Sequence, residues 1–285
     1  FGIEQNIDSN DTNPFRYCGE YFDNETQSIY LRARYYSPVT GRFGQQDPAM
    51  ADGMNWYVYC SSNPLNSSDP TGYYAGQIYG VNGGYGGIYD TNAYVNDRYG
   101  EGWYPSGNWG TLEPDMPTFL QNDLESGANN CTLTALTRVF AFHRNKNGKY
   151  NIPDNETLYN DIKDIASNYG YSNENGTGFT KINNIINDTM EKYGYSGEGE
   201  NRYLASFDLV KSEIDAGRPL LLNISSGYYG NHTVTIVGYH EYTKGEGKNK
   251  KRFLKVYDGW SKQPRYIDYE QLVAIRSAST VEFYE

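Results

Sequence analysis

Hydrophobic and polar positions follow two different periods along the C-terminal part of the chain. Apolar residues recur at helical spacing near 131–143, 155–168 and 179–193. A fourth helix is predicted from Ser206, a favourable N-cap, to Gly217, a residue typical of the position just past a helix end. Runs rich in branched and aromatic residues then predict strands at 219–225, 232–242, 252–260, 265–269 and 280–284. This order indicates an α+β domain over 116–285.

The N-terminal part has two further patterns. Residues 13–73 contain short β-type runs such as "IYLRARYY" and "NWYVYC", separated by turn sequences such as "SPVTG" and "SSDPTG". Residues 74–115 are rich in Gly, Tyr and Asn, and no period of 2 or 3.6 is sustained there. That composition predicts a linker, or an irregular segment that wraps the domain. The expected division is therefore 1–73, 74–115 and 116–285.

The composition of the chain limits the classes of function that it can have. The chain has 285 residues, 38% of them hydrophobic, and a net charge of -11, which disfavours a general nucleic-acid binder. It has no apolar run of eighteen residues, so we expect no membrane span. Three cysteines do not make a disulfide framework, and we expect Cys18 and Cys60 to be free. We also expect no metal or other cofactor. Because the chain begins at Phe1, we expect it to be the C-terminal part of a longer protein.

Cys131 lies at the threshold of a predicted helix, in "NNCTLTALTRVF". It is either a small core residue or a nucleophile, because the N–H groups of a helix N-terminus favour a thiolate. A nucleophile needs a nearby base. His143 is twelve residues along the same helix, about 18 Å away, and His240 is eight residues beyond His232 on one strand. His232, at the mouth of that strand, is the best-placed base.

The loop at 243–251 predicts a hairpin that brings a third polar group to this base. His232 and Asp258 each lie thirteen residues from the midpoint near 245. The two ends of the hairpin therefore meet, and Asp258 is predicted to orient the His232 ring.

The segment 13–73 resembles the Rhs-repeat-associated core of Rhs and YD-repeat polymorphic toxins, through "YLRARYYSPVTGRF" and the bracketing "DPAM" and "DPTG". In that family the core closes a shell of repeated strands and a variable toxin domain follows it. The resemblance implies aspartyl self-cleavage by Asp47 and Asp69, between Tyr73 and Tyr74. Asp52 is a third carboxylate nearby, and the family usually has Leu where this chain has Tyr73.

The set "NNCTLTAL", "NHTVTIVGY" and "VYDGW" resembles papain-like cysteine peptidases, most closely those that process bacteriocins at double-glycine leaders. The resemblance implies a catalytic site of Cys131, His232 and Asp258. The family usually has Gly at the position of Thr132, and a Gln that completes the oxyanion hole at the position of Glu125. Asn129, Asn130 or Gln121 would have to replace that Gln.

Together these resemblances predict a secreted Rhs effector used in interbacterial competition. Its C-terminal cysteine peptidase is expected to cut a protein in the target-cell cytoplasm, with a cognate immunity protein and the upstream Rhs shell as partners. Two alternatives stay open. The same site could act as a deamidase, transglutaminase or acyltransferase, because the acyl-enzyme is common to all of them. The domain could also be a non-catalytic binding module with a papain-like fold.

Overall fold

The computed structural model of the chain forms two units, Phe1–Asn82 and Gly83–Glu285. The structure describes residues 2–3, 11, 13–46, 56–60, 64, 67–69, 76–77, 85–126, 129–225, 228–229, 231–245, 247, 249–272 and 276–284. Over these ranges no helix is long and apolar enough to cross a membrane. None of the three cysteines forms a disulfide bond, as predicted for Cys18 and Cys60.

The first unit contains a four-stranded antiparallel meander in the order β1-β2-β3-β4 and a separate two-stranded pair, β5-β6. Its elements are a short 3-10 turn at Tyr17–Gly19 and strands β1 Tyr21–Asp23, β2 Ser28–Leu31, β3 Arg34–Ser37, β4 Arg42–Phe43, β5 Ser67–Ser68 and β6 Gly76–Gln77. Ile29, Leu31, Tyr36 and Phe43 form its small core together with residues 59–60.

The second unit is built on a seven-stranded antiparallel sheet in the order β12-β11-β10-β9-β13-β8, and β7 also pairs with β10. The strands are β7 Tyr104–Thr111, β8 Gly197–Arg202, β9 Leu220–Ile224, β10 His232–Lys244, β11 Asn249–Tyr257, β12 Arg265–Asp268 and β13 Arg276–Phe283. The helices are α1 Thr91–Tyr99, α2 Gln121–Leu124, α3 Cys131–Lys146, α4 Asn155–Ser167, α5 Ile182–Lys192 and α6 Phe207–Asp215, with a 3-10 turn at Phe179–Lys181.

Helices cover both faces of this sheet. Leu221 packs into a core formed with α3, α4 and α5, whereas its neighbours Leu220 and Leu222 pack into a second core with α6. Because successive side chains of a strand point to opposite faces, a strand covered on both sides has no polar face. The continuous apolar run "PLLLNIS" reflects this double burial.

The predicted helix boundaries agree with the caps of the structure. The Ser206 side chain accepts a hydrogen bond from the Leu209 N–H, and Gly217 adopts a left-handed conformation with φ of +77° just after α6. Asp154 caps α4 in the same way, through the N–H groups of Glu156 and Thr157. The helices predicted from periodicity are therefore all present.

Much of the predicted linker 74–115 is folded in the structure. α1 packs Tyr94 and Val95 against Tyr242 and Phe253 of the sheet, and β7 pairs with the second half of β10. The buried surface of this segment comes mostly from aromatic rings, with few aliphatic residues. The sequence therefore shows no hydrophobic period typical of a helix or a strand. This segment therefore contributes one helix and one strand to the second unit.

Arg138 fixes the segment that leads into the N-terminus of α3. Its side chain is 1% exposed, and its guanidinium donates hydrogen bonds to the carbonyl oxygens of Pro117 and Phe119 and to the Thr235 hydroxyl. One side chain thereby joins the helix, the sheet and the chain that precedes α2. The guanidinium group of arginine is planar and has five N–H donors, so it can reach all three acceptors at once.

We expect Arg138→Ala to lower the free energy of unfolding by about 3 kcal/mol, because buried acceptors lose charge-assisted hydrogen bonds. Chemical denaturation measures this change. Arg202→Ala removes a half-exposed ion pair with Glu200 and is the matched control, expected to change stability by less than about 0.5 kcal/mol. Equal losses in the two variants would contradict the anchoring role of Arg138.

Candidate active site

Cys131 is the first residue of α3 and is partly exposed. His232 and the main-chain N–H of Thr233 are the groups whose charge and polarity lower the pKa of its thiol. The Thr132 hydroxyl lies 2.8 Å from Thr233 Oγ1, which ties the start of the helix to the start of β10. The Thr132 side chain therefore forms a hydrogen bond between the two elements that carry Cys131 and His232.

His232 begins β10 and is buried, with Nε2 2.7 Å from the main-chain carbonyl oxygen of Asp258. A carbonyl only accepts hydrogen bonds, so Nε2 carries a proton. Nδ1 is then the ring nitrogen left to exchange a proton with Cys131. The Trp260 ring lies 4.2 Å from the imidazole, centroid to centroid, and covers it. The ring is thus fixed in both tautomer and orientation.

The electrostatics of the pair favour a thiolate and an imidazolium. Burial alone raises the pKa of the Cys131 thiol, but the charge and hydrogen bond of His232 outweigh it and lower this pKa to about 7. Burial likewise lowers the pKa of His232, and the Cys131 charge, the Cys131 hydrogen bond and the Asp258 carbonyl together raise it above its ordinary value. Each group therefore stabilises the charged form of the other.

Asp258 meets His232 through its main chain, and its carboxylate has other partners. The carboxylate forms a buried ion pair with Arg265 and accepts hydrogen bonds from the Tyr229 hydroxyl at 2.9 Å and the N–H groups of Trp260 and Ser261. The predicted contact between the carboxylate and the imidazole is thus replaced by a contact to the carbonyl oxygen. The hairpin does join the two residues, but the carboxylate turns toward the charge of Arg265.

Two residues of this network were missed by the sequence analysis. Arg265 and Tyr229 are both almost fully buried. An Arg at the start of the short, aromatic-rich strand "RYIDY" was the available indication, because a buried cation needs a buried carboxylate. Tyr229 gave no such indication, because it follows another tyrosine in a glycine-rich loop.

Two of the three predicted oxyanion residues have structural roles. The Asn130 side chain is fully buried, and its Nδ2 donates to the Gln121 and Glu125 carbonyls and to the Tyr159 hydroxyl. Asn129 Nδ2 donates to the Glu174 carbonyl at 2.6 Å. Both amides are therefore committed to hydrogen bonds that hold the loop before α3.

Gln121 remains as the third oxyanion candidate. Its main-chain N–H donates to the Gly259 carbonyl, and a β-carbon at Gly259 would lie 3.2 Å from Gln121 Oε1. This buried Oε1 has no hydrogen-bond partner among the described residues. Glu125, at the position where the similar peptidases have Gln, is held by Lys163, Tyr159 and Asn173.

The other two histidines lie outside the site. His143 Nδ1 is 2.9 Å from Asn147 Nδ2 at the end of α3, and burial lowers the pKa of His143 to about 4. The His240 ring packs against Trp109 and Tyr266 further along β10. Both positions agree with the exclusion made from sequence spacing.

The residues predicted for self-cleavage are only partly described. Asp47, Asp52, Tyr73 and Tyr74 lie outside the described residues. Asp69 is 1% exposed, and its Oδ2 lies 3.3 Å from a guanidinium nitrogen of Arg34. The one described member of the predicted dyad is therefore a buried carboxylate with a buried cationic partner.

Short segments of the chain are similar to much longer curated proteins. The toxin protein Tse5 of Pseudomonas aeruginosa is 43% identical over 60 residues, which is 21% of this chain and 5% of that protein. The tRNA(Glu)-specific nuclease WapA of Bacillus subtilis subsp. natto is 38% identical over 96 residues, 32% of this chain and 4% of the nuclease. The double-stranded DNA deaminase toxin A of Burkholderia cenocepacia is 42% identical over 60 residues, which is 21% of this chain and 4% of that toxin.

The region that carries the site matches a family of its own. The model of the Peptidase_C39 like family matches residues 113–277, more than half of the chain. Cys131, His232 and Asp258 all lie inside this range, on the α+β papain-like fold described above. The chain belongs to the Peptidase_C39 like family.

Proposed function

We propose that the chain is the toxin-bearing end of an Rhs-type polymorphic toxin, and that the unit beginning at Gly83 is a cysteine peptidase that cuts a protein of the target cell. Two of the three relatives are named for different activities on different nucleic acids, a tRNA nuclease and a double-stranded DNA deaminase, and the third is named as a toxin protein, although all three share similar segments with this chain. A delivery segment followed by a variable toxic domain accounts for this pattern. A cognate immunity protein and export with the upstream shell follow from such a system.

The observation that carries the peptidase proposal is the placement of Cys131 at the N-terminus of α3 and His232 at the start of β10, two ends joined by the Thr132–Thr233 contact. The charge of His232 acts on this thiol and lowers its pKa. The thiolate attacks the scissile carbonyl carbon, and the imidazolium gives its Nδ1 proton to the leaving amine as the C–N bond breaks. Water then attacks the thioester, His232 accepts a proton from it, and the thiolate is released. The Nε2–H bond to the Asp258 carbonyl keeps the ring oriented through both steps.

The oxyanion that forms during attack needs donors close to Cys131. The main-chain N–H of Cys131 at the helix N-terminus is one, and the Gln121 side-chain amide is the second. Rotation of this amide by 180° about its last bond exchanges Oε1 for Nε2 and presents an N–H. The side-chain N–H groups of Asn129 and Asn130 already donate to other acceptors, which supports the assignment of Gln121 over both.

Expression of the whole chain in the bacterial cytoplasm tests the activity class. Mass spectrometry of the exposed proteome should show new protein termini that depend on Cys131. Mass changes of +1 Da at Gln or Asn, or new crosslinks, would instead identify a deamidase or transferase at the same site. An unchanged proteome would favour the non-catalytic binding module.

We expect Cys131→Ala and His232→Ala each to abolish toxicity almost completely, with little further effect in the double variant, because nucleophile and base act as a unit. Growth of cells that express each variant measures this. Cys18→Ala changes an exposed cysteine of the first unit and should remain as toxic as the unaltered chain. Toxicity in Cys131→Ala would overturn the proposal.

The thiol should titrate near neutral pH. We expect the rate of Cys131 alkylation by iodoacetamide to reach half its maximum at about pH 7, because the thiolate is the reacting form. In His232→Ala this midpoint should rise to about pH 8.5 or higher. Burial still raises the pKa of the Cys131 thiol in that variant, but the positive charge of His232 that opposes it is gone. Peptide mass spectrometry separates Cys131 from the other two cysteines. A midpoint above pH 8 in the unaltered chain would contradict the ion pair.

For the complete protein with its preceding repeats, we expect self-cleavage between Tyr73 and Tyr74, with Asp47→Asn blocking it. N-terminal sequencing of the released fragment should begin at Tyr74. Asp69→Asn should also block release, but it leaves the buried Arg34 without its carboxylate, so Asp47→Asn is the cleaner test. Asp23→Asn, at the end of β1 in the same unit, is the control. An intact wild-type chain in the folded complete protein would refute the cleavage proposal.

A further inference from the structure

The segment 85–88, here called the strap, lies along the edge of the sheet next to the site. Ile88 exchanges two main-chain hydrogen bonds with Tyr266 of β12, at 3.1 and 2.6 Å, and the Asp268 N–H donates to the Tyr85 carbonyl. The strap thus pairs with the edge strand that also carries Arg265. Its Tyr85 and Ile88 side chains are buried.

Glycine is required in the middle of the strap. A β-carbon at Gly86 would lie 2.4 Å from Tyr229 Cε2, and one at Gly87 would lie 2.3 Å from the Tyr228 hydroxyl. Gly87 also has φ of +71°, which a side chain disfavours. The backbone therefore lies directly against the tyrosine pair 228–229.

Tyr229 connects the strap to both residues that hold the imidazole. Its hydroxyl accepts from the Gly87 N–H at 3.3 Å and donates to Asp258 Oδ2 at 2.9 Å, and its main-chain N–H donates to the Tyr85 hydroxyl at 3.3 Å. Its ring is nearly parallel to the His232 ring, with centroids 5.9 Å apart and 10° between the planes. It also packs 5.4 Å from Trp260.

We propose that Tyr229 is a positioning residue for His232 and that the strap holds Tyr229 in place, so that residues 85–88 form part of the active site. This rests on the proposed Cys131–His232 peptidase site. Tyr229 acts on the imidazole through the ring stack and through Asp258, whose carbonyl accepts the hydrogen bond from Nε2.

Tyr229 acts on the His232 ring by packing against it and by fixing the groups around it. The hydroxyl of Tyr229 fixes the Asp258 carboxylate, and this fixes the carbonyl of the same residue relative to β10. The ring of Tyr229 limits rotation of the imidazole. A His232 ring that turns away from Cys131 no longer stabilises the thiolate, so displacement of Tyr229 should raise the pKa of the thiol.

The test uses the full chain and measures the pH profile of Cys131 alkylation together with thermal unfolding. Tyr229→Phe removes the hydroxyl and keeps the ring, and Tyr229→Leu removes both. We expect the alkylation rate at pH 6 to fall about ten-fold in Tyr229→Phe, the effect of a thiol pKa raised by one pH unit, and further in Tyr229→Leu. The control is Tyr193→Phe, which removes a hydroxyl that donates to Asp161 on the helical side.

Glycine variants test the strap separately. Gly86→Ala should shift the pH profile in the same direction, whereas Gly178→Ala, which has open space for its β-carbon, should not. Gly87→Ala and Gly100→Ala form a second pair. Both positions have positive φ, but only Gly87 faces Tyr228, so backbone strain alone would affect the two equally.

The outcomes separate this inference from the proposed function. A low thiol pKa in the unaltered chain that is unchanged in Tyr229→Phe and Gly86→Ala would overturn the positioning role and leave the Cys131–His232 pair standing. A loss of thermal stability in Tyr229→Phe and Tyr193→Phe alike, with no change of pH profile, would assign Tyr229 a structural role only. An ordinary thiol pKa in the unaltered chain would overturn the pair itself.

Discussion

The buried ion pair between Asp258 and Arg265 is the interaction on which the geometry of the site depends. The two side chains are 0% and 2% exposed. Removal of one partner from such a pair leaves an uncompensated buried charge, which costs about 3–5 kcal/mol. The pair joins the end of β11 to the start of β12, the strand that the strap covers. The position of the Asp258 carbonyl, and through it the imidazole, is a consequence of this constraint.

Asp258 therefore divides its two functional groups between two tasks. Its carbonyl holds the His232 tautomer, and its carboxylate neutralises Arg265 and accepts from the Tyr229 hydroxyl and the turn amides. The charge still acts on the imidazole, because it adds to the influences that raise the pKa of His232. A direct contact of the carboxylate with the imidazole would both orient the ring and stabilise its positive charge. Here the carbonyl of Asp258 orients the ring, and the carboxylate of the same residue stabilises the charge.

Periodicity and hairpin symmetry predicted much of this arrangement. Helix α3 with Cys131 at its head, and the meeting of His232 with residue 258, follow from apolar spacing and loop position. The orientation of the Asp258 carboxylate does not, because it depends on Arg265, which approaches from another strand. The fold of 85–111 could not be predicted from the sequence for a related reason. Its buried surface comes from tyrosines and its close packing from glycines, and neither leaves a regular hydrophobic period.

The abundance of tyrosine has a physical reason in the charge balance. The chain has 35 acidic and 24 basic residues, so many carboxylates lack a cation, and it has 30 tyrosines. Tyrosine hydroxyls donate to carboxylates throughout the second unit, in the pairs Tyr94 and Tyr99 with Asp268, Tyr159 with Glu125, Tyr169 with Asp188, Tyr193 with Asp161, Tyr229 with Asp258, Tyr239 with Asp215 and Tyr257 with Glu113. Burial, and then the neighbouring carboxylate, raises the pKa of Tyr193 and Tyr257, so each remains a donor at neutral pH. Two tyrosine hydroxyls satisfy the buried carboxylate of Asp268. At Asp258 the Tyr229 hydroxyl adds to the ion pair with Arg265, and this is the tyrosine–carboxylate contact that reaches the active site.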